Sequence, residues 1–124
     1  MLLSLGGGMQ PKPPLPVFHV LEVALEAIQV IAPVVARIRR YDRDLAEQLR
    51  TALSSVALNA AEGNNNQGGL RIARFSTAAG SNAESRAALR IAVAWGYVQA
   101  DEVEAGEARL DRVAAMLHRL GARR

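Results

Sequence analysis

Arginine side chains are the groups in this 124-residue sequence best suited to binding a ligand. Fourteen of the fifteen basic residues are arginine, the formal net charge is +3, and the pI is near 10.2. A guanidinium group contacts phosphate through two parallel hydrogen bonds, so a basic domain of this kind is a candidate partner of nucleic acid. An arginine bias that follows from genome base composition is the open alternative. The candidate phosphate-binding residues are Arg37, Arg39, Arg40, Arg43, Arg50, Arg71 and Arg86.

Residues that could carry catalysis or bind a metal are few and scattered. His19 and His118 lie near opposite ends of the sequence, and neither belongs to a Glu-x-x-His pair, the usual di-iron signature of helical bundles. Ser54 and Ser55 have no histidine nearby, and a chain without cysteine has no thiolate metal site. The glycine-containing segment 63–69 lacks the Lys-Ser/Thr pair of a phosphate-binding loop. We therefore expect no catalytic residue, no metal, no cofactor and no small-molecule substrate.

A second polar set lies in the middle of the sequence, on both sides of the Gly/Asn-rich segment 63–69. Glu62 can approach Arg71 or Arg74 across that segment if helices precede and follow it. An ion pair combined with helix capping explains such a set more simply than catalysis does. The members of this set are Asn59, Glu62, Arg71, Arg74, Ser81, Glu84 and Arg86.

Four helical segments must position these side chains. Apolar residues recur at steps of three and four, which predicts helices over about residues 17–40, 43–62, 70–95 and 101–120. No alternating pattern typical of a strand occurs. Four helices with short connections predict an all-α fold, an antiparallel up-down-up-down four-helix bundle.

Local signals refine the helix boundaries and the packing. Asp42 or Asp44 suits the N-cap of the second helix, and Gly63 suits the C′ position at its end. Pro33 falls inside the first apolar pattern, which continues past it, so we expect a kink rather than a break. Gly80 lies inside the third helix beside alanines, which predicts close approach of another helix at that point.

The sequence divides into an N-terminal arm and one domain. Residues 1–16 are rich in glycine and proline and predict a flexible or extended arm, with a proline-rich ligand for a partner as the alternative. The bundle occupies residues 17–124.

The start of the sequence lacks the basic region of a signal peptide, and Met9 is an alternative initiator to Met1. No segment approaches the roughly 20 apolar residues that span a bilayer, so we expect a cytoplasmic protein that does not enter a membrane.

The composition of the core favours an assembly of several copies. Half of the residues are apolar, but only 4% are aromatic, and alanine supplies much of the apolar total. Alanine lets helices approach closely but buries little area per residue. Additional burial at a subunit interface would stabilise such a chain, so a homo-oligomer is expected.

Two motifs in the central helices resemble a known family. The segments QLRTALSSVALNAAEG at 48–63 and RFSTAAGSNAESRAAL at 74–89 are similar to the four-helix-bundle family that includes proteins encoded in intervening sequences of bacterial 23S ribosomal RNA genes. That family also includes the accessory variability determinant of diversity-generating retroelements. The matching residues are Gln48, Leu49, Arg50, Ala52, Ser55, Asn59, Ala61, Glu62 and Gly63, then Arg74, Phe75, Ala79, Gly80, Ser81 and Glu84.

The resemblance implies a non-enzymatic assembly. Members of the family form ring-shaped homopentamers, and the retroelement members bind a reverse transcriptase and nucleic acid through a basic outer surface. Two departures bear on the nucleic-acid role. Thr51 stands where the family has a second arginine, and the loop NNNQGG at 64–69 lacks the basic residues usual there.

Three functional hypotheses follow from the sequence. The first is a homo-oligomeric helical adaptor whose arginine-rich surface binds RNA or a nucleic-acid enzyme, through phosphate and without base readout because aromatic residues are scarce. The second is a structural or protein-interaction module with no nucleic-acid partner, which the interspersed acidic residues favour. The third, an enzyme, has the least support. A continuous positive band on the surface would favour the first hypothesis, and a mosaic of charges the second.

Overall fold

The computed structural model describes residues 16–123, with side chains from His19 onward. It contains four helices, at Pro16–Arg39 (α1), Arg43–Asn64 (α2), Gly68–Ala94 (α3) and Ala100–Arg119 (α4), and residues 16–123 contain no strand. The predicted all-α bundle is confirmed, and each helix boundary lies within two residues of its predicted position. The predicted arm lies outside the described residues except for Pro16, which begins α1, and so do the alternative initiators Met1 and Met9.

The helices follow one another around the bundle, so that each packs against its neighbours in sequence and α4 closes against α1. Contacts across the α1–α4 and α2–α3 interfaces run in opposite chain directions, as an up-down-up-down arrangement requires. On the α1–α4 interface the paired residues are Arg37 with Glu102, Ile31 with Gly106, and Glu26 with Arg109. On the α2–α3 interface they are Ser55 with Ser81 and Glu62 with Arg74.

The core divides into two halves along the bundle axis. One half lies near the α1–α2 and α3–α4 turns and is built around Ile31, Ile38 and Leu49. The other lies near the α2–α3 loop and is built around Phe75 and the alanines that surround it. We call the first end of the bundle the turn end and the second the loop end. Because α2 spans 22 residues, the two ends lie about 30 Å apart.

The N-cap of α2 is Asp42, one of the two predicted candidates. Its Oδ1 accepts a hydrogen bond of 2.9 Å from the backbone N of Leu45. Helix α4 begins with a capping box that was not predicted, in which Glu102 accepts a hydrogen bond from the backbone N of Gln99 at 2.6 Å. Both caps lie at the turn end, so the two connections there are fixed by side chains as well as by backbone hydrogen bonds.

The predicted role of Gly63 as a C′ cap is wrong. Helix α2 continues past it to Asn64, and Asn65, with φ −92°, is the C-cap. Gly63 is buried, and a Cβ at that position would lie 2.6 Å from Cδ1 and 3.0 Å from Cζ of Phe75. The position therefore requires glycine because the Phe75 ring packs directly on its Cα.

The close helix approach predicted at Gly80 is also wrong within the described chain. A Cβ at Gly80 would meet no heavy atom within 4 Å. The physical reason is the face that it occupies. Gly80 lies one turn before the exposed Glu84, whereas Ser81 contacts α2 and Asn82 contacts α4. Close approach occurs instead at Gly106 of α4, where a Cβ would lie 2.5 Å from Cγ1 of Ile31.

Helix α1 continues through Pro33, so the alternative of a break there is excluded. Helix α1 is also more apolar than the sequence analysis predicted. Its segment His19–Arg39 has a mean hydropathy of 1.6 and is long and apolar enough to cross a membrane by length and composition. The expectation that no segment meets this threshold is therefore wrong. Val20, Ala27 and Ile38 of this helix are fully buried against the other helices, which is the usual origin of such hydropathy in a bundle.

Candidate nucleic-acid interface

The structure brings four of the seven candidate arginines together. Arg37, Arg39, Arg40 and Arg43 all lie on the exposed surface at or beside the α1–α2 turn. Arg50 is two turns further along α2, where it lines a shallow groove that also includes Arg39. Arg71 and Arg86 lie elsewhere. The guanidinium of Arg71 sits 5.0 Å above the ring of Phe75 at the loop end, and that of Arg86 faces Asp111 of α4 at 3.6 Å.

Ion pairs engage part of this arginine cluster. Arg37 contacts Glu102 at 3.1 Å, and Arg39 contacts Glu47, which also lies 3.8 Å from Arg50. Within residues 19–123, Arg40 and Arg43 form no ion pair. Arginines and carboxylates are therefore interspersed around the α1–α2 turn as a mosaic of charges. Exposed ion pairs of this kind contribute little to the stability of the fold. A phosphate group can therefore take the place of the carboxylate beside the guanidinium.

Three aromatic rings stack beside the arginines, and the sequence reading missed them. The rings of Tyr41 and Tyr97 are nearly parallel, at 4°, with centroids 5.4 Å apart. Trp95 stacks on the same Tyr97 ring at 6.3 Å and 17°. Tyr41 is 61% exposed and Trp95 69% exposed. We call these three residues the aromatic stack. The predicted topology could have indicated this cluster. In an up-down-up-down bundle the α1–α2 and α3–α4 turns lie at the same end, which brings residue 41 close to residues 95–97.

Asp42 holds the aromatic stack in place. Its Oδ2 accepts a hydrogen bond of 3.3 Å from the Tyr97 hydroxyl, while its Oδ1 caps α2. Desolvation by burial raises the pKa of Tyr97, and the negative charge of Asp42 and the hydrogen bond to it raise that pKa further. One carboxylate therefore ties the α1–α2 turn to the α3–α4 turn, and both of its oxygens are occupied.

The residues of the resemblance motifs organise the α2–α3 interface. Ser55 Oγ and Ser81 Oγ are 2.7 Å apart, and the Asn59 amide donates to the backbone oxygen of Ser55 at 2.9 Å and to its Oγ at 3.1 Å. Glu62 pairs with Arg74 at 3.1 Å, one of the two predicted alternatives. Phe75 is fully buried. These contacts are structural: they join the two central helices.

A groove between α3 and α4 contains a buried polar atom that lacks a partner. Asn82 is 1% exposed and lines this groove with Arg86 and His118. Its amide donates to the backbone oxygen of Leu110 at 2.9 Å, and its Oδ1 has no hydrogen-bond partner among the described residues. Within residues 19–123, no three histidine or carboxylate side chains converge as a metal site would require.

The fold and these contacts define a class of protein, an all-α four-helix bundle that carries arginines and stacked aromatic rings at one end. The family model described as 23S rRNA-intervening sequence protein matches residues 19–119. The chain therefore belongs to the 23S rRNA-intervening sequence protein family. In comparisons with curated proteins and with solved structures, nothing matched.

Proposed function

We propose that this chain is a non-enzymatic homo-oligomeric adaptor that binds RNA, or an enzyme acting on nucleic acid such as a reverse transcriptase, through the turn end. The observation that carries the proposal is the clustering of Arg37, Arg39, Arg40 and Arg43 at one end of the bundle. Guanidinium groups of neighbouring arginines can engage successive phosphates of one strand. The family name, which refers to ribosomal RNA, is consistent with this choice of partner.

Assembly of several copies is part of the proposal. Leu58 and Leu70 are each 63% exposed, and Leu25 and Ile91 are each 45% exposed. Exposed leucines and isoleucines on several helices favour burial against further copies of the chain. A ring of five is the state that the resemblance implies, and it would repeat each arginine cluster so that weak contacts add together. A cytoplasmic location and the absence of any cofactor belong to the same proposal.

The second candidate is a protein-interaction module with no nucleic-acid partner. The specific observation in its favour is the charge mosaic, in which Arg37, Arg39, Arg50 and Arg86 all face carboxylates. Such a surface attracts polyanions less strongly than an unbroken basic band does.

Binding of RNA at increasing salt separates the two candidates. We expect the affinity of the full chain for RNA to fall as salt rises fourfold, because phosphate contacts release counterions. Arg40→Glu combined with Arg43→Glu should weaken binding further. Arg112→Glu combined with Arg119→Glu, at exposed positions of α4, is a control with the same change in charge. No affinity for RNA at low salt, or an affinity that does not respond to salt, would reject the first candidate in favour of the second.

A further inference from the structure

The aromatic stack is the feature of the turn end that phosphate binding does not explain. Three of the five aromatic residues in the chain, Tyr41, Tyr97 and Trp95, meet at this one place. More than half of the Tyr41 and Trp95 side-chain surface remains exposed, so these rings contribute little to the core. An exposed patch of flat aromatic rings beside arginines has the chemistry of a surface that stacks against nucleobases.

Backbone hydrogen bonds order the two turns that carry the aromatic stack. The backbone N of Tyr41 donates to the oxygen of Ile38 at 2.9 Å, and that of Tyr97 to the oxygen of Ala92 at 3.0 Å. Gly96, with φ 79°, provides the left-handed conformation that the turn between Trp95 and Tyr97 requires. Rings that are already ordered lose little conformational entropy when a base stacks on them.

The charges around the stack leave two arginines available. Asp42 uses both oxygens within the chain, Glu47 faces Arg39 and Arg50, and Glu102 faces Arg37 and caps α4. Arg40 directly precedes Tyr41, and Arg43 follows it by two residues. Within residues 19–123, neither forms an ion pair or a side-chain hydrogen bond, so both can reach phosphates that flank a stacked base.

We propose that the aromatic stack and the two adjacent arginines, Arg40 and Arg43, bind single-stranded nucleic acid, with an unpaired base stacked on the open ring surface of Tyr41 or Trp95. This inference rests on the proposed function and specifies its ligand: unpaired strand rather than duplex, since a paired base has no free face except at a helix end. The contact is stacking, which any base can make, and it requires no readout of base edges.

The affinity for a single strand should depend only weakly on salt concentration, because stacking contributes to it together with a small number of phosphate contacts. Asp44 and Asp101 lie near the same end, and the proposal assigns the phosphate contacts to Arg40 and Arg43. With about two phosphates neutralised, a fourfold rise in salt should weaken single-strand binding by roughly sevenfold. Loss of one stacking ring should weaken it by roughly 5- to 100-fold.

The test uses Trp95 as its own reporter, because it is the only tryptophan in the chain. Oligouridylate and oligoadenylate strands are titrated into the full chain, and quenching of tryptophan fluorescence is recorded. Two further probes carry phosphates without an available base: an abasic strand of equal length and a duplex whose two ends are closed by non-nucleotide linkers. We expect quenching and binding with the single strands, and weak binding without quenching by the other two probes.

Variants of the stacked residues test whether the aromatic rings contribute to binding. Anisotropy of a labelled strand should show weaker binding to Tyr41→Ala and to Trp95→Ala, and near-normal binding to Tyr41→Phe, which keeps the ring. Thr77→Ala is the control, because Thr77 is an exposed residue of α3 nearer the loop end and its hydroxyl donates only to its own helix backbone. Circular dichroism confirms that each variant remains helical, as expected for exposed side chains.

The outcomes separate this inference from the proposed function. Equal binding of intact and abasic strands, with no effect of Tyr41→Ala or Trp95→Ala, would overturn the stacking inference and leave phosphate binding intact. No binding of any nucleic acid would overturn both. A loss of oligomer mass in the two alanine variants, with RNA binding unchanged, would assign the stack to a contact between subunits and would also overturn the inference.

Discussion

A single missing side chain determines how closely the two central helices meet at the loop end. Among residues 19–123, Phe75 is the largest side chain that is fully buried, and its ring occupies the space that a Cβ of Gly63 would need. Asp42 shows the same dependence on one residue at the turn end, where it caps α2 and binds the Tyr97 hydroxyl. Each of these residues fixes the local packing at its own end of the bundle.

Alanine substitutions at two helical glycines should have opposite effects. Gly63→Ala should lower the free energy of unfolding by about 1–3 kcal/mol, because its methyl group would overlap the Phe75 ring. Gly80→Ala should raise it by about 0.5–1 kcal/mol, since alanine is the better helix former and no atom lies within 4 Å of the added carbon. Urea denaturation of both variants measures the difference. A destabilised Gly80→Ala protein would indicate that another copy of the chain packs against that position.

The pKa of Tyr97 predicts an alkaline loss of stability. A folded-state pKa above the ordinary value of 10.0 means that Tyr97 stabilises the fold below about pH 10, and that this contribution is lost as the pH rises through the folded pKa. Asp42→Asn should lower the Tyr97 pKa while keeping the cap of α2, because asparagine is also a good N-cap. Phenolate absorbance in a Tyr41→Phe background, where Tyr97 is the only tyrosine, provides the measurement. An unchanged Tyr97 titration in Asp42→Asn would contradict the assigned contact.

At the scale of helices, polar contacts set the position of α3 against α2. Ser55, Asn59 and Ser81 form a connected set near the middle of the interface, and the Glu62–Arg74 pair follows one to two turns towards the loop. Alanines such as Ala78, which is fully buried, allow the two helices to come close. Small side chains provide the proximity, and the hydroxyl groups then fix the register between the helices.

A double-mutant cycle should measure the coupling between Ser55 and Ser81. Each alanine substitution should lower the free energy of unfolding by roughly 0.5–1.5 kcal/mol, and the double variant should lose less than the sum of the two. The expected coupling is on the order of 1 kcal/mol, because either single change already removes the hydrogen bond between the two hydroxyl groups. The exposed Thr77, whose hydroxyl donates to its own helix backbone, provides a control with Ser55 that should be additive. Strict additivity for Ser55 and Ser81 would show that their hydrogen bond contributes nothing.

At the scale of the whole molecule, the chain combines a well-packed interior with a surface that keeps several large apolar residues in solvent. Leu58 and Leu70 lie on the described surface near the loop end, whereas the arginines and the aromatic stack lie at the turn end. An assembly that buries the loop-end leucines would leave the turn ends open. Burial of Leu58 and Leu70 in the assembly and binding of nucleic acid at the turn end would therefore use different parts of the same bundle.

Assembly should respond to dilution and to a charge placed on the apolar surface. We expect light scattering to give a mass of several subunits, and the thermal midpoint to fall as the protein is diluted. Leu58→Glu should reduce the mass, because a carboxylate would have to be buried in the contact. Ala115→Glu, at an exposed position of α4, is the control, since α4 lies diagonally across the bundle from α2. A compact, stable single subunit at every concentration would refute the homo-oligomer.

The sequence by itself determined the helices and their arrangement, because periodic apolar residues and short connections leave few ways to bury four amphipathic faces. It also narrowed the N-cap of α2 to Asp42 or Asp44, because a cap depends on neighbours only three residues apart; the structure shows Asp42. Only the tertiary structure decided the roles of the glycines and of the aromatic residues. Gly63 meets a ring twelve positions away, Gly80 meets nothing in the described chain, and Tyr41 meets Tyr97 from another turn. Such contacts depend on the rotation and separation of packed helices, which local sequence patterns do not encode.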